Sequence, residues 1–272
     1  MSIPAVALEI RRPAFELGPD LPRYWYGGNA FASHYLDSLS SVFPDGEAFF
    51  VRSVQRYRDR IDDSALRQAI QGFAGQEAQH SRQHDVHLEL LDARGYGALT
   101  RLNRAADKVM RFTNRRFPRF SLASTAALEH LTAMLARRIL RDGARFTTPM
   151  NARMAALWRW HALEEAEHKA VAFDVLKRVA PSYWLRVIAL VVNTAGLFVE
   201  MLLRTGYMLW KDGELARRES WSDGWKFLFG REGLLRGVGP DYRAWYRRDF
   251  HPNEIDDGPL IEVWRARVTG GG

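Results

Sequence analysis

Apolar and polar positions repeat at helical spacing over four long stretches, at about residues 31–60, 63–93, 119–141 and 151–179, and a basic amphipathic segment at about 99–116 separates the second from the third. Two breaks organise them. The first, near Ile61-Asp62-Asp63-Ser64, offers Asp63 or Ser64 as the N-cap of the next helix, and the second runs from Asp142 to Pro149. The pattern predicts an all-α four-helix bundle made of two antiparallel hairpins, with Thr100 to Arg116 as the long crossover between them. Residues 1–30 read as an N-terminal extension, 31–180 as the bundle, and 181–272 as an apolar fifth helix and an aromatic, basic helical tail packed on it.

The fifth helical region differs in character from the others. From Val187 to Phe198 it carries no charge, bounded by Arg186 and Glu200, a run shorter than the roughly 18 residues of a transmembrane span. A buried helix completing the core is the expectation. Tyr183, Trp184, Tyr207 and Trp210 flank the run with Arg186, Arg204 and Lys211, so contact with a membrane surface or an apolar partner stays open. Aromatics beyond residue 212, among them Trp221, Trp225, Phe229, Trp245 and Phe250, are expected to pack back on the domain or to form a homodimer contact.

Composition narrows the function classes. With 272 residues, 47% hydrophobic and 26% charged, the chain has ample material for one sizeable helical domain. Cysteine is absent, which excludes disulfides and thiolate metal sites. The N-terminal stretch lacks a signal-like apolar region with a cleavage site, so a cytoplasmic location is expected, with membrane association open. The net charge is +7, but no recognition motif accompanies the basic residues, and nucleic-acid binding is not expected.

The candidate chemistry sits in two near-duplicate blocks, Gln76-Glu77-Ala78-Gln79-His80 and Glu164-Glu165-Ala166-Glu167-His168. Residues three apart on a helix share a face within about 5–6 Å, so each block aims one carboxylate and one imidazole at a common point. A dinuclear site on four helices needs one more Glu from each of the other two, and Glu47 and Glu129 meet that need. Position 62 is fifteen residues from both Glu47 and Glu77, and position 147 is eighteen from both Glu129 and Glu165, so each hairpin brings its two acids to one height. A single Glu on a helix is ordinarily a solvated charge. Glu129, however, stands among Ala126, Leu128, Leu131 and Met134, and a carboxylate buried there requires pairing or a metal. Glu47, in what reads as a first helical turn from Phe43, has the competing explanation of a favourable macrodipole.

Other polar residues lie on the same faces. His84 and His161, each four residues from a block residue, read as outer partners, satisfied core histidines or alternative ligands. Gln76 and Glu164 are candidates to hold the ring N–H of a ligand histidine, which fixes its tautomer and orientation. His87 and His130 lie nearby and carry no assignment.

The segments Phe43-Pro44-Asp45-Gly46-Glu47, Gly75-Gln76-Glu77-Ala78-Gln79-His80-Ser81 and Trp160-His161-Ala162-Leu163-Glu164-Glu165-Ala166-Glu167-His168-Lys169-Ala170 resemble the bacterial family labelled predicted metal-dependent hydrolase. The resemblance spans about residues 20–212 and extends to the ferritin-like di-iron carboxylate superfamily. It implies a ferritin-like bundle in which Glu47, Glu77, His80, Glu129, Glu165 and His168 ligate two metal ions, with no catalytic residue beyond these ligands. Gln76 departs from the superfamily pattern, which often has an acid there. The family label implies no substrate.

Four carboxylates and two imidazoles suit iron or manganese, and four Glu neutralise two divalent ions. Two iron ions are expected, with manganese or a mixed pair as variants. By analogy with the superfamily the expected reaction is dioxygen-dependent hydroxylation, desaturation or N-oxygenation of an apolar small molecule, with an electron donor as partner. Metal-dependent hydrolysis by a water activated between two metals is the alternative, and ferritin-like iron binding a third reading. Apolar faces around Ala126, Met134, Leu157 and Val171 are expected to line a substrate pocket beside the metals.

Overall fold

Asn29 caps the first helix, α1 (Ala30–Gln55), by accepting from the Ala32 N–H, and the Asp63 carboxylate caps α2 (Ser64–Leu91) by accepting from Ala65 and Leu66. The computed structural model describes residues 8–269, without the side chains of 142–144 and 269; the start of the N-terminal extension and the last three residues of the tail lie outside the described residues. A π-helical turn over Asp92–Tyr96, with Gly95 at φ 96°, ends α2 and swings the chain into the crossover α3 (Ala98–Arg116). Helix α4 (Pro118–Leu140) begins on a proline, whose missing N–H would have found no partner in the first turn. A 3-10 segment, Arg141–Thr147, leads to α5 (Ala152–His168), and α6 (Val171–Val179) follows. Then come α7 (Tyr183–Lys211), α8 (Arg218–Phe229), α9 (Gly239–Ala244) and α10 (Gly258–Thr269).

The architecture is an all-α bundle. α1 pairs with α2 and α4 with α5, the two pairs pack on each other, and α3 crosses between them against α1 and α4. Two apolar clusters lie on either side of the bundle centre, one containing Leu36, Phe43, Trp158 and Trp160, the other Phe49, Phe73, Ala126 and Leu176. From the tail, Trp245 and Phe250 are buried, whereas Trp221, Trp225 and Phe229 are exposed.

Three elements differ from the pattern read in the sequence. α1 runs unbroken through Pro44, so Glu47 is in mid-helix and not in a first turn. Proline cannot donate to the Ser40 carbonyl, and packing of α1 against α2, α3 and α7 holds the helix together across that gap. The fourth long helix is divided: α5 ends at His168, where the buried Lys169 ammonium turns to the Ile255 carbonyl and the Asp257 carboxylate. Finally, the charge-free run is part of a 29-residue helix and is not buried, since only Ala189 and Leu190 of Val187 to Phe198 are inside.

Candidate metal centre

Each of the four bundle helices points acids or imidazoles toward the space between the apolar clusters. Glu47 comes from α1, Glu77 and His80 from α2, Glu129 from α4, and Glu165 and His168 from α5; all six are buried. Glu47, Glu77 and His80 present ligand atoms within 4.8 Å of one another, as do Glu77, Glu129 and His168, so Glu77 is common to two groups. Glu165 joins them, with Oε1 3.4 Å from His168 Nε2 and 3.6 Å from His80 Nδ1. The structure therefore brings all six together. Mid-helix Glu47 has no macrodipole to explain it, and its Oε2 accepts from the Ser81 hydroxyl at 2.9 Å.

His161 belongs to the same cluster. It groups with His80 and Glu165, and again with Glu47 and His84. Its Nε2 is 3.4 Å from Glu165 Oε1, and its ring stacks on that of His80 at 4.2 Å. The donor field thus holds four carboxylates and as many imidazoles, more nitrogen-rich than the six-residue set. His130 lies elsewhere, stacked on Trp245 and bonded to the Asp241 carbonyl as a core histidine.

The first residue of each block serves the histidine of the other block. Gln76 turns its amide nitrogen to Glu167 Oε2 and the Glu9 carbonyl, both at 2.9 Å, which leaves Oε1 to accept from His168 Nδ1 at 3.0 Å. His168 Nε2 then faces the cluster. Glu164 Oε2 approaches His80 Nε2 at 3.1 Å, and its Oε1 accepts from Arg11 and from the Trp160 indole. Burial pushes the Glu164 carboxyl up to about 7, although Arg11 works against it. Arg11 has no counterpart in the sequence reading, because it sits 153 positions away in an irregular segment. That segment lies across α2 where Gly72 and Gly75 lack a Cβ, which would otherwise run into Leu8 and Ile10.

A second set of contacts leads away from His161. His84 Nε2 meets His161 Nδ1 at 2.9 Å, and Ser40 Oγ touches His84 Nδ1 at 2.7 Å and His87 Nδ1 at 2.8 Å. His87 Nε2 is 3.2 Å from Asp37, Asp37 is 3.3 Å from His34, and His34 Nε2 is 3.1 Å from Asp212. Asp212 pairs with the half-exposed Arg23. Burial opposes the charge on Asp37, but the adjacent His34 and His87 rings hold it down to about 2. His84 and His161 were read as outer partners from their place on the ligand faces, but Ser40, Asp37, His34 and Asp212 were not legible beforehand, since apart from the Asp37–His34 pair within α1 the links join residues far apart in the chain.

Electrostatics and orphaned atoms agree on what the cluster can hold. Burial first, then the neighbouring acids, push Glu47 well above the ordinary carboxylate range, and burial does the same to Glu129 and, less strongly, to Glu77. Glu165 is the exception: burial is outweighed by the His168 charge and by the close approach of the His161 and His168 rings, which hold it well below that range. Burial opposes a charge on His168, yet Glu129 and Glu165 raise it well above a free imidazole, while burial and then His161 depress His80 and His84. Both oxygens of Glu77 and of Glu129, His80 Nδ1 and His168 Nε2 lack a hydrogen-bond partner. Buried acceptors without donors are costly, and cations relieve both the missing bonds and the repulsion. The residues therefore fit a pair of divalent ions bound by oxygen and imidazole nitrogen.

A narrow apolar crevice of about 340 Å³, its open mouth included, reaches His161 and Glu165 past Phe43, Ala136, Ile139 and Trp158. It is not where the sequence placed a pocket. Ala126, Leu157 and Val171 are packed into the core, and Met134 lines a separate cleft with His130 and Lys169.

Among known families, the one described as predicted metal-dependent hydrolase matches residues 9–256, a span that takes in Arg11 and the helices as far as α9. No curated protein and no solved structure matches the chain.

Proposed function

The chain belongs to the family of predicted metal-dependent hydrolases, and on that premise we propose that its Glu and His cluster binds two metal ions and cleaves an apolar or amphipathic small molecule by hydrolysis. The observation that carries this reading is the convergence of unpartnered, buried ligand atoms from four helices on one point. Two divalent ions there would supply Lewis acidity, lowering the pKa of a water and neutralising charge at the bond being cleaved. Glu47, Glu77, Glu129 and Glu165 supply the balancing negative charge. Gln76 and Glu164 orient the rings of His168 and His80 toward the cluster. His161 is placed to receive a proton, and His84, Ser40, His87, Asp37 and His34 form a buried path from it to Asp212, which the half-exposed Arg23 pairs with. The crevice past Phe43 and Trp158 would admit an apolar substrate to the side of the cluster bearing His161 and Glu165.

Dioxygen-dependent oxidation, the first expectation from the superfamily analogy, becomes the second reading, because membership of this family favours hydrolysis and the extra imidazoles move the donor set toward that of two-metal hydrolases. One observation keeps it in view: the acids still come from four helices in the arrangement that di-iron proteins use, and an electron donor would then be a partner. Metal-reconstituted protein should be assayed without oxygen on model esters and phosphates, and separately for dioxygen uptake with a reductant and apolar substrates. Anaerobic cleavage that Glu77→Ala abolishes is expected. Substrate-dependent dioxygen consumption with no anaerobic cleavage would replace hydrolysis with oxidation.

A further inference from the structure

Helix α7 is inverted relative to an ordinary surface helix. Its two arginines, Arg186 and Arg204, face inward: Arg186 is surrounded by the rings of Tyr183, Phe173, Trp245 and Phe250, and Arg204 bonds to Glu200 and Ser41. The outward face carries Trp184, Ile188, Val192, Phe198, Leu203 and Trp210, with Phe198 68% and Leu203 63% exposed. The two tryptophans stand about 39 Å apart at 1.5 Å per residue, and no acid or base separates them on that face except Glu200 at its edge, already paired with Arg204. A soluble monomer rarely exposes so long an apolar stripe without a partner.

The crossover α3 supplies the second half of the surface. Asn103 of α3 bonds to the Ser41 carbonyl and Arg204 of α7 to the Ser41 hydroxyl, so the two helices flank the same turn of α1. α3 exposes Leu102, Val109 and Phe112 beside Arg101, Arg104, Lys108, Arg111, Arg115 and Arg116. Its one acid, Asp107, is engaged by Arg52 and Arg111. We infer that α3 and α7 together form a docking surface for an anionic lipid bilayer, with α7 lying in the plane of the interface and α3 supplying cations for the headgroups. The charge pattern chooses this occupant over a second copy of the chain. A two-fold contact would set the α3 cations against their own copies, with no free acid on the patch to answer them. α7 is long and apolar enough to cross a membrane by length and composition. Spanning would, however, strip it from α1 and α4 and bring Arg186 and Arg204 into hydrocarbon.

This inference is independent of the metal reading. The full chain should float with phosphatidylcholine vesicles containing phosphatidylglycerol and not with phosphatidylcholine alone. Retention should fall more than about tenfold at about 1 M salt, where the Debye length is near 3 Å, and likewise for Arg104→Glu with Lys108→Glu. Val192→Glu with Leu203→Glu, at exposed positions, should abolish flotation while the helical circular dichroism is unchanged. Failure of the unaltered chain to float, or retention that neither pair of substitutions reduces, would overturn the inference. So would a concentration-dependent dimer that Leu203→Glu dissociates in the absence of vesicle binding, because a second copy would then cover the face.

Discussion

At Glu129 the cost of burial and the benefit of a cation meet in one side chain, since neither oxygen has a donor and burial holds the carboxyl protonated well above its ordinary range. Glu47 and Glu77 are raised in the same direction, and His168 is raised above a free imidazole. In metal-free protein these groups keep protons that the unfolded chain has already released, so above about pH 4.5 the folded state binds more protons than the unfolded one. Their contribution to stability is complete below the unfolded pKa values and is lost as pH rises through the raised ones. Glu165, held low, acts in the opposite sense, and only as pH falls below about 4.5. Metal binding requires deprotonated acids and neutral imidazoles, which reverses the trend. The gap in Tm between metal-loaded and chelator-treated protein should therefore widen from about pH 5.5 to about pH 8, and Glu129→Gln should shrink it. A gap that stays constant with pH would show that these acids do not titrate against a metal.

Among the elements, the N-terminal segment has a role beyond that of an extension. It is fastened to α2 by Gln76 at the Glu9 carbonyl and Gln83 at the Pro13 carbonyl, and it delivers Arg11 to Glu164 and Glu167. Arg11→Ala should destabilise the fold by about 3–5 kcal/mol, as expected for a buried charge losing its partner, and should weaken metal binding about 10–100-fold through the Glu164 contact with His80. Denaturant titration and a metal competition assay measure the two effects, with exposed Arg12→Ala as the unaffected control. Equal behaviour of the two variants would remove Arg11 from the support of the site. The hairpin arrangement was legible because equal spacing on either side of each break sets helical register, and it did place Glu47 with Glu77 and Glu129 with Glu165. The first helical stretch was placed from about residue 31, as α1 has it, but Glu47 was misread as lying in a first turn because proline and glycine before it look like a helix beginning, whereas packing carries α1 through Pro44. α7 was misread for a different reason: a charge-free run shows that a helix is apolar, not which face the protein covers. The inward position of Arg186 and Arg204 appears only when tertiary partners are known.

For the molecule as a whole, the bundle encloses a charge problem that its own residues do not solve. Four buried carboxylates face one another, and the imidazoles among them are held by Gln76, Glu164 and the Ser40 relay in positions that leave ring nitrogens pointing at those acids. Hydrolysis, oxidation and the direction of substrate entry all depend on whether metal answers that charge. The direct test is elemental analysis of protein purified after growth with iron, manganese and zinc supplied, set against the concentration of folded chain. About two metal ions per chain are expected, with Glu129→Ala and His168→Ala each losing most of that content while remaining helical. Protein that carries no stoichiometric metal, or variants that keep the full complement, would contradict the assignment of this cluster as a dinuclear centre.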